Sequence, residues 1–221
     1  MNKSSLTAVF LALMAAGPAA QNSTPTATEV AATLQGNYNT VRDFSADFTH
    51  QHTGGMLRRT LVEQGTLQVK KPGRMRWEYK SPEKKLFVSN GSRLYFYDPE
   101  NNQVTISEVP RGDQPASAAQ FLSGRGNLTR DFDVSFIEGG SADTYALKLE
   151  PRTEQNQYDW LEIVVDRTTF RIRSLTAVEK QGGRSTFLFS RFKENIGLSD
   201  NTFEFDIPRG TEVIHAGPPK L

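Results

Sequence analysis

Residues 65–82 read G-T-L-Q-V-K-K-P-G-R-M-R-W-E-Y-K-S-P, and residues 85–109 continue K-L-F-V-S-N-G-S-R-L-Y-F-Y-D-P-E-N-N-Q-V-T-I-S-E-V. Pro-Gly, Ser-Pro, Asn-Gly and Asp-Pro divide this stretch into β-type runs, and each break has a mechanism: proline presets φ, while glycine and asparagine tolerate positive φ. Between the breaks polarity alternates. Leu67, Val69 and Lys71 share one phase of the first run; Met75, Trp77 and Tyr79 share one phase of the second, opposite Arg74, Arg76 and Glu78. Short runs joined by tight turns predict an antiparallel meander, apolar on one side.

Upstream, Thr28 reads as a helix cap, with Val30, Leu34, Tyr38 and Val41 about a turn apart along one face. The period then changes, as Phe44, Ala46 and Phe48 alternate with polar neighbours in a strand. Gly54 and Gly55 break it, and residues 56–70 form a long second strand in which Gly65 marks a bend or bulge. Downstream, residues 110–115 read as a loop. Residues 116–122 read as a short helix carrying Ala118, Ala119, Phe121 and Leu122, too short to hold in water without packing on something. Strand signals return at 132–137, 144–150, 158–165, 170–179 and 184–192, with a last short run at 202–205. About ten or eleven strands and a few short helices predict a mainly β fold, one strongly curved antiparallel sheet or open barrel.

The N-terminus has a different character. Lys3, the apolar run 6–16 and the small residues Gly17, Ala19 and Ala20 before Gln21 have the layout of a cleaved secretory signal over residues 1–20. That run is too short to span a bilayer. The expected mature chain, residues 21–221, is about 200 residues and fits a single domain. With no cysteine it forms no disulfide and takes no lipid on an N-terminal Cys. Net charge is +1, so no global basic field recruits nucleic acid.

Constellations for catalysis are poor. The sequence has no G-x-S-x-G, P-loop, G-x-G-x-x-G or cysteine nucleophile, and the expectation is a protein that is not an enzyme and needs no cofactor. His50 and His52 lie two apart on one strand face, but with no third ligand evident they read as a surface pair rather than a metal site. The aromatics say more. Phe44, Phe48, Trp77, Tyr79, Phe96, Phe187 and Phe189 fall on alternating strand positions, which suits either an ordinary core or the wall of a pocket. A single curved sheet with so little helix leaves its concave side unfilled, which favours an apolar pocket.

The motif V-K-K-P-G-R-M-R-W-E-Y-x-x-P, followed by V-S-N-G-x-x-L-Y-F-Y-D-P and Q-V-T, resembles the signature of the LolA family of periplasmic outer-membrane lipoprotein carriers. F-S-A-D-F-T-H-Q upstream, and A-V-E-K-Q-G-G-R-S-T-F and F-E-F-D-I-P-R-G-T-E-V-I downstream, extend the resemblance over most of the mature chain. It implies an incomplete barrel closed by a helical lid, with a cavity for lipoprotein acyl chains. Phe44, Phe48, Leu67, Val69, Met75, Trp77, Tyr79 and Phe96 would line the wall, and Leu34, Phe121 and Leu122 would belong to the lid. Lys71 matches an Arg that latches the lid in some members. Its ammonium offers three donors instead of a planar fork, and the plain alternative is a stem covering apolar surface with the charge in water. Met75 replaces a common Phe and makes a more pliable wall. The implied setting is a periplasmic monomer that receives lipoproteins from an inner-membrane ABC-type extractor and delivers them to an outer-membrane acceptor. Carriage of another lipid or glycolipid, or a lipoprotein-sensing role, are the alternatives.

Overall fold

Regular structure starts at Thr26, whose side chain accepts from the Glu29 amide while the Glu29 carboxylate accepts from the Thr26 N–H. This reciprocal capping box places the cap two residues before Thr28, because Thr26 and not Thr28 has a glutamate three positions on. The computed structural model describes residues 24–54, 60–109, 118–138, 140–154 and 158–216. The expected signal segment, residues 55–59 at the head of the second strand, the 110–115 loop, the start of the short helix at 116–117 and the 217–221 tail lie outside the described residues.

Helix α1 (Ala27–Thr40) leads into β1 (Asp43–Thr53), β2 (Thr60–Lys70), β3 (Arg74–Ser81), β4 (Lys85–Asn90), β5 (Arg93–Asp98) and β6 (Gln103–Glu108). Two short helices, α2 (Ala118–Leu122) and α3 (Leu128–Asp131), then precede β7 (Phe132–Phe136), β8 (Thr144–Pro151), β9 (Trp160–Asp166), β10 (Ile172–Val178), β11 (Arg184–Glu194) and β12 (Glu212–His215). Among the described residues these twelve strands form one sheet, in the order β12-β6-β5-β4-β3-β2-β1-β11-β10-β9-β8-β7. Two meanders, β2 to β6 and β7 to β11, meet on either side of β1, which pairs antiparallel with β2 and β11. The sheet ends at β7 and β12 without joining them, an incomplete barrel.

The end of the chain departs from the sequence expectation. Residues 202–205 are not a strand: Asp200–Phe203 is a 3-10 turn capped by the Ser199 side chain, and the last strand is β12, which runs parallel to β6. Phe203 and Phe205 alternate as strand residues do, but their partners lie on the outer face of the sheet. Phe203 is fully buried there, and the Phe205 ring sits 5.6 and 5.5 Å from those of Tyr95 and Tyr97. Burial of single side chains holds this segment, so it needs no strand ladder.

On the inner face, residues from β1, β2, β3 and β7 to β10 join α1, α2 and α3 in one buried cluster. β3 and β7 are seven strand spacings apart, roughly 34 Å on a flat sheet. Helix α1 has 14 residues and is only about 21 Å long. Helix α1 nevertheless contacts β7 at one end of the sheet while its Tyr38 packs on Phe44 of β1 and receives Lys71 from the end of β2, so the sheet curls around the helix. Gly65 makes part of this curl possible. The β2–β3 register shifts between Gln64 and Gly65, and a Cβ at Gly65 would lie 2.1 Å from the Glu78 carbonyl oxygen and 2.6 Å from the Phe48 ring. Gly65→Ala should therefore destabilise the fold by about 1–3 kcal/mol in urea denaturation; a neutral result would mean that the strand crossing is not tight.

Candidate functional site

Sheet register brings the aromatic residues of the inner face together. Phe48 pairs with Gly65 and Phe189, Gly65 with Tyr79, Leu67 with Trp77, Trp77 with Phe87, and Phe87 with Phe96. Directly paired residues share a face, so these side chains form one row across the sheet. Ring centroids are 5.3 Å apart for Phe48–Trp77, 4.9 Å for Phe48–Tyr79, 5.0 Å for Trp77–Phe187 and 4.4 Å for Phe87–Phe96. The Phe48 ring occupies the space that a side chain at position 65 would take.

Cover over this face is uneven. Phe44, Leu67 and Val69 are 0% exposed, beneath the α1 residue Leu34 and the α2 residues Phe121 and Leu122 at 1% each. Met75, Trp77, Phe87, Phe96, Phe187 and Phe189 are only half-buried. The expected wall residues therefore split into a part already filled by the protein's own helices and a part left half open. Phe96 extends the open part by stacking on Phe87. Two clefts of about 370 and 290 Å³ do lie on the sheet, around Asp47, Thr66 and Arg191. Asp47 and Thr66 alternate with Phe48 and Leu67 along their strands and so point away from the aromatic row.

Several hydrogen bonds tie down the covering helices: the Gly73 N–H donates to the Ser123 carbonyl at 2.9 Å, the Leu128 N–H to Gln35 at 2.8 Å, and Tyr38 and Lys71 add two more. Tyr38, near the end of α1, stacks on Phe121 at 4.9 Å and donates its hydroxyl to the Leu122 carbonyl at 2.7 Å. Burial pushes its phenol pKa up, so the proton stays on that bond. Lys71, just past β2, donates its ammonium to the Tyr38 carbonyl and lies 3.5 Å from the centre of the Tyr38 ring. Gly124, at φ +77°, lets the turn after α2 close on the Lys71 stem, where a Cβ would meet the stem at 2.6 Å. Lys71 is thus held between α1 and the α2 turn instead of reaching into water, and burial pulls its ammonium down to about 8.

At the other end of the aromatic row is a polar cluster that sequence reading missed. His50 is not part of a surface pair: it stacks on Phe187 with centroids 4.1 Å apart, with Nδ1 3.2 Å from Glu63 and Nε2 2.9 Å from Ser185. Glu63 is buried and accepts from Lys85 at 3.0 Å. His52 is half-buried, 4.0 Å from Glu179. Among the described residues no group of three His, Cys, Asp or Glu side chains is arranged to hold a metal. The available signal was Glu63, an acidic residue on the same phase as Leu67 and Val69; its pairing with His50 depends on the β1–β2 register.

Two measurements test these contacts. Lys71→Met keeps the stem and removes the ammonium, and should lower the free energy that opens the helices by on the order of 1 kcal/mol; the readout is faster amide exchange at Ser123 and Gly124, and unchanged exchange would remove Lys71 as a tie. For His50, burial holds the imidazole below its ordinary 6.5. The unfolded chain therefore takes up the proton first as pH falls, and stability present above about 6.5 is lost on acidification. His50→Gln should flatten that slope between pH 7 and 5, and an identical slope would show that His50 does not cause it.

Comparison with known proteins agrees with this geometry. The described residues contain no helix long and apolar enough to cross a membrane. Residues 39–206 match the model of the family described as outer membrane lipoprotein carrier protein LolA. A protein of Pseudomonas paraeruginosa named outer-membrane lipoprotein carrier protein is 29% identical over 184 residues, covering 82% of this chain and 85% of its own. One of the same name from Pseudomonas putida is 32% identical over 152 residues, covering 68% and 69%. The crystal structure of an uncharacterized conserved protein from Thermus thermophilus superposes with a TM-score of 0.54 over 86% of this chain and 99% of that one, at 14% identity, a likeness of fold alone. By the extent of the family match and the shared carrier sequence, this chain belongs to the LolA family of outer-membrane lipoprotein carrier proteins.

Proposed function

We propose that this protein carries lipoproteins through the periplasm, holding their acyl chains against the inner face of the sheet. The observation that carries the reading is the half-open aromatic row, Trp77, Phe87, Phe187 and Phe189, continuous with a core that the helices cover. Residues 1–20 would direct export and be removed, and residues 21–221 would act as one monomeric domain.

Acyl chains set the energetic problem. At ~0.8 kcal/mol per buried methylene, a chain of about 15 methylenes gains roughly 12 kcal/mol on leaving water. Escape from a bilayer is then negligible without an extractor, and a soluble carrier must offer comparable apolar surface. Leu34, Phe121 and Leu122 supply the counterweight. In the closed form they occupy the deep part of the inner face, so cargo has to displace them and net affinity falls by the cost of opening. In this reading Lys71 latches the closed form through Tyr38. An ATP-driven inner-membrane ABC-type extractor would load the opened cavity, and an outer-membrane acceptor of higher affinity would empty it.

Trp77→Glu puts a charge in the middle of the row, where hydrocarbon cannot solvate it. It should abolish lipoprotein capture from spheroplasts while leaving a folded sheet by circular dichroism; full capture would remove Trp77 from the wall. Mass spectrometry of the protein purified from the periplasm should find bound lipoprotein, whereas free lipid as the sole cargo would point to a general lipid carrier.

A further inference from the structure

We propose that the polar cluster at the open end of the aromatic row is a seat for the hydrogen-bonding head of the cargo, shaped for the ester or amide group that bears the acyl chains. This rests on the carrier reading and adds where the polar atoms of the cargo go.

Hydrogen-bond accounting carries the inference. The Glu63 carboxylate, held by Lys85, can only accept, so His50 Nδ1 at 3.2 Å carries the imidazole proton and Nε2 is an acceptor. Ser185 Oγ, 2.9 Å from Nε2, must then be the donor. Two valences are left over. The Tyr79 hydroxyl lies 3.4 Å from Nδ1 and faces that N–H, so it can only accept there, and its own proton has no acceptor among the described residues. Burial raises the phenol pKa and keeps that proton in place. The Ser185 oxygen, having given its hydrogen to His50, keeps its lone pairs. One donor and one acceptor thus flank the His50 ring, the pair that a carbonyl oxygen and a neighbouring N–H or hydroxyl would use.

Position supports the same assignment. His50 stacks on Phe187, which packs on Phe48 and Trp77, so polar seat and apolar row share an edge as the two parts of an acylated amphiphile do. Glu63 is buried while Lys85 keeps part of its side chain in water, and a buried carboxylate beside a neutral histidine is costly as mere structure, because an apolar replacement of similar volume is often as stable or more so. On the inner face of a hydrocarbon carrier, such a cluster is explained by a polar head that needs partners away from water.

The test compares 1-monolauroylglycerol, which has an ester and hydroxyls, with the apolar dye N-phenyl-1-naphthylamine, which reports the aromatic row. Tyr79→Phe and Ser185→Ala each delete one hydroxyl and nothing else. Each should weaken the monoacylglycerol relative to the dye by roughly five- to tenfold in a displacement titration, and the double variant by more. An unchanged ratio in both variants overturns the seat. Thermal melts confirm that each variant is folded, and either alone suffices for the comparison. If the unsubstituted protein binds neither dye nor monoacylglycerol, the carrier reading fails and the seat falls with it; binding of both with no effect of the hydroxyls sinks the seat alone.

Discussion

Burial of the inner face of the sheet is the constraint on which the rest of the structure depends. Among the described residues twelve strands join edge to edge in one sheet, so its apolar side chains are presented as one curved surface. Among the described residues the covering helices have 14, 5 and 4 residues, and aromatics of β3, β4 and β11 stay half-buried beside them. The sheet can bury this surface by curling, and it curls far enough for β3 and β7 to share one cluster with α1. It does not close. What remains is a row of half-buried aromatics next to a solid core, an arrangement with a cost in water that a hydrocarbon ligand would offset.

The boundary between these two regions is set by a few polar contacts at the ends of elements. Tyr38 bonds the α2 backbone through its hydroxyl, and its own carbonyl and ring receive Lys71. These contacts are directional, whereas the apolar packing beneath them is broad and non-directional. The outer face differs: Phe203, Val88 and Val104 are fully buried, and Lys70 pairs with Asp200 next to the buried Phe203 turn.

Polar residues on the inner face follow a different logic from those outside. Glu63, the buried member, is satisfied by His50 and Lys85, which makes its burial tolerable. Outer charges such as Arg184 with Glu162 form pairs near water that contribute little to stability. The inner cluster therefore accounts for more of the chemistry of the concavity than its small size suggests.

Alternation and turn residues were enough to find β3 to β6 between Gly65 and Val109, and their inward phases named Trp77, Tyr79 and Phe96 correctly as neighbours of one face, because a period of two survives in any strand that buries one side. Resemblance to the LolA family supplied the helical cover and drew notice to Lys71. Three features were not legible. The contact of Lys71 with Tyr38 joins residues 33 apart; His50 meets Glu63 and Ser185 through the registers of β1 with β2 and β11; and Phe203 and Phe205 carry a strand-like pattern but bury from a turn. Local sequence encodes which side of a strand is apolar, since that depends on neighbours two residues away. Which strands meet, in what register, and which polar atoms are thereby left with a proton to give, depends on contacts between distant segments, and only the folded chain decides them.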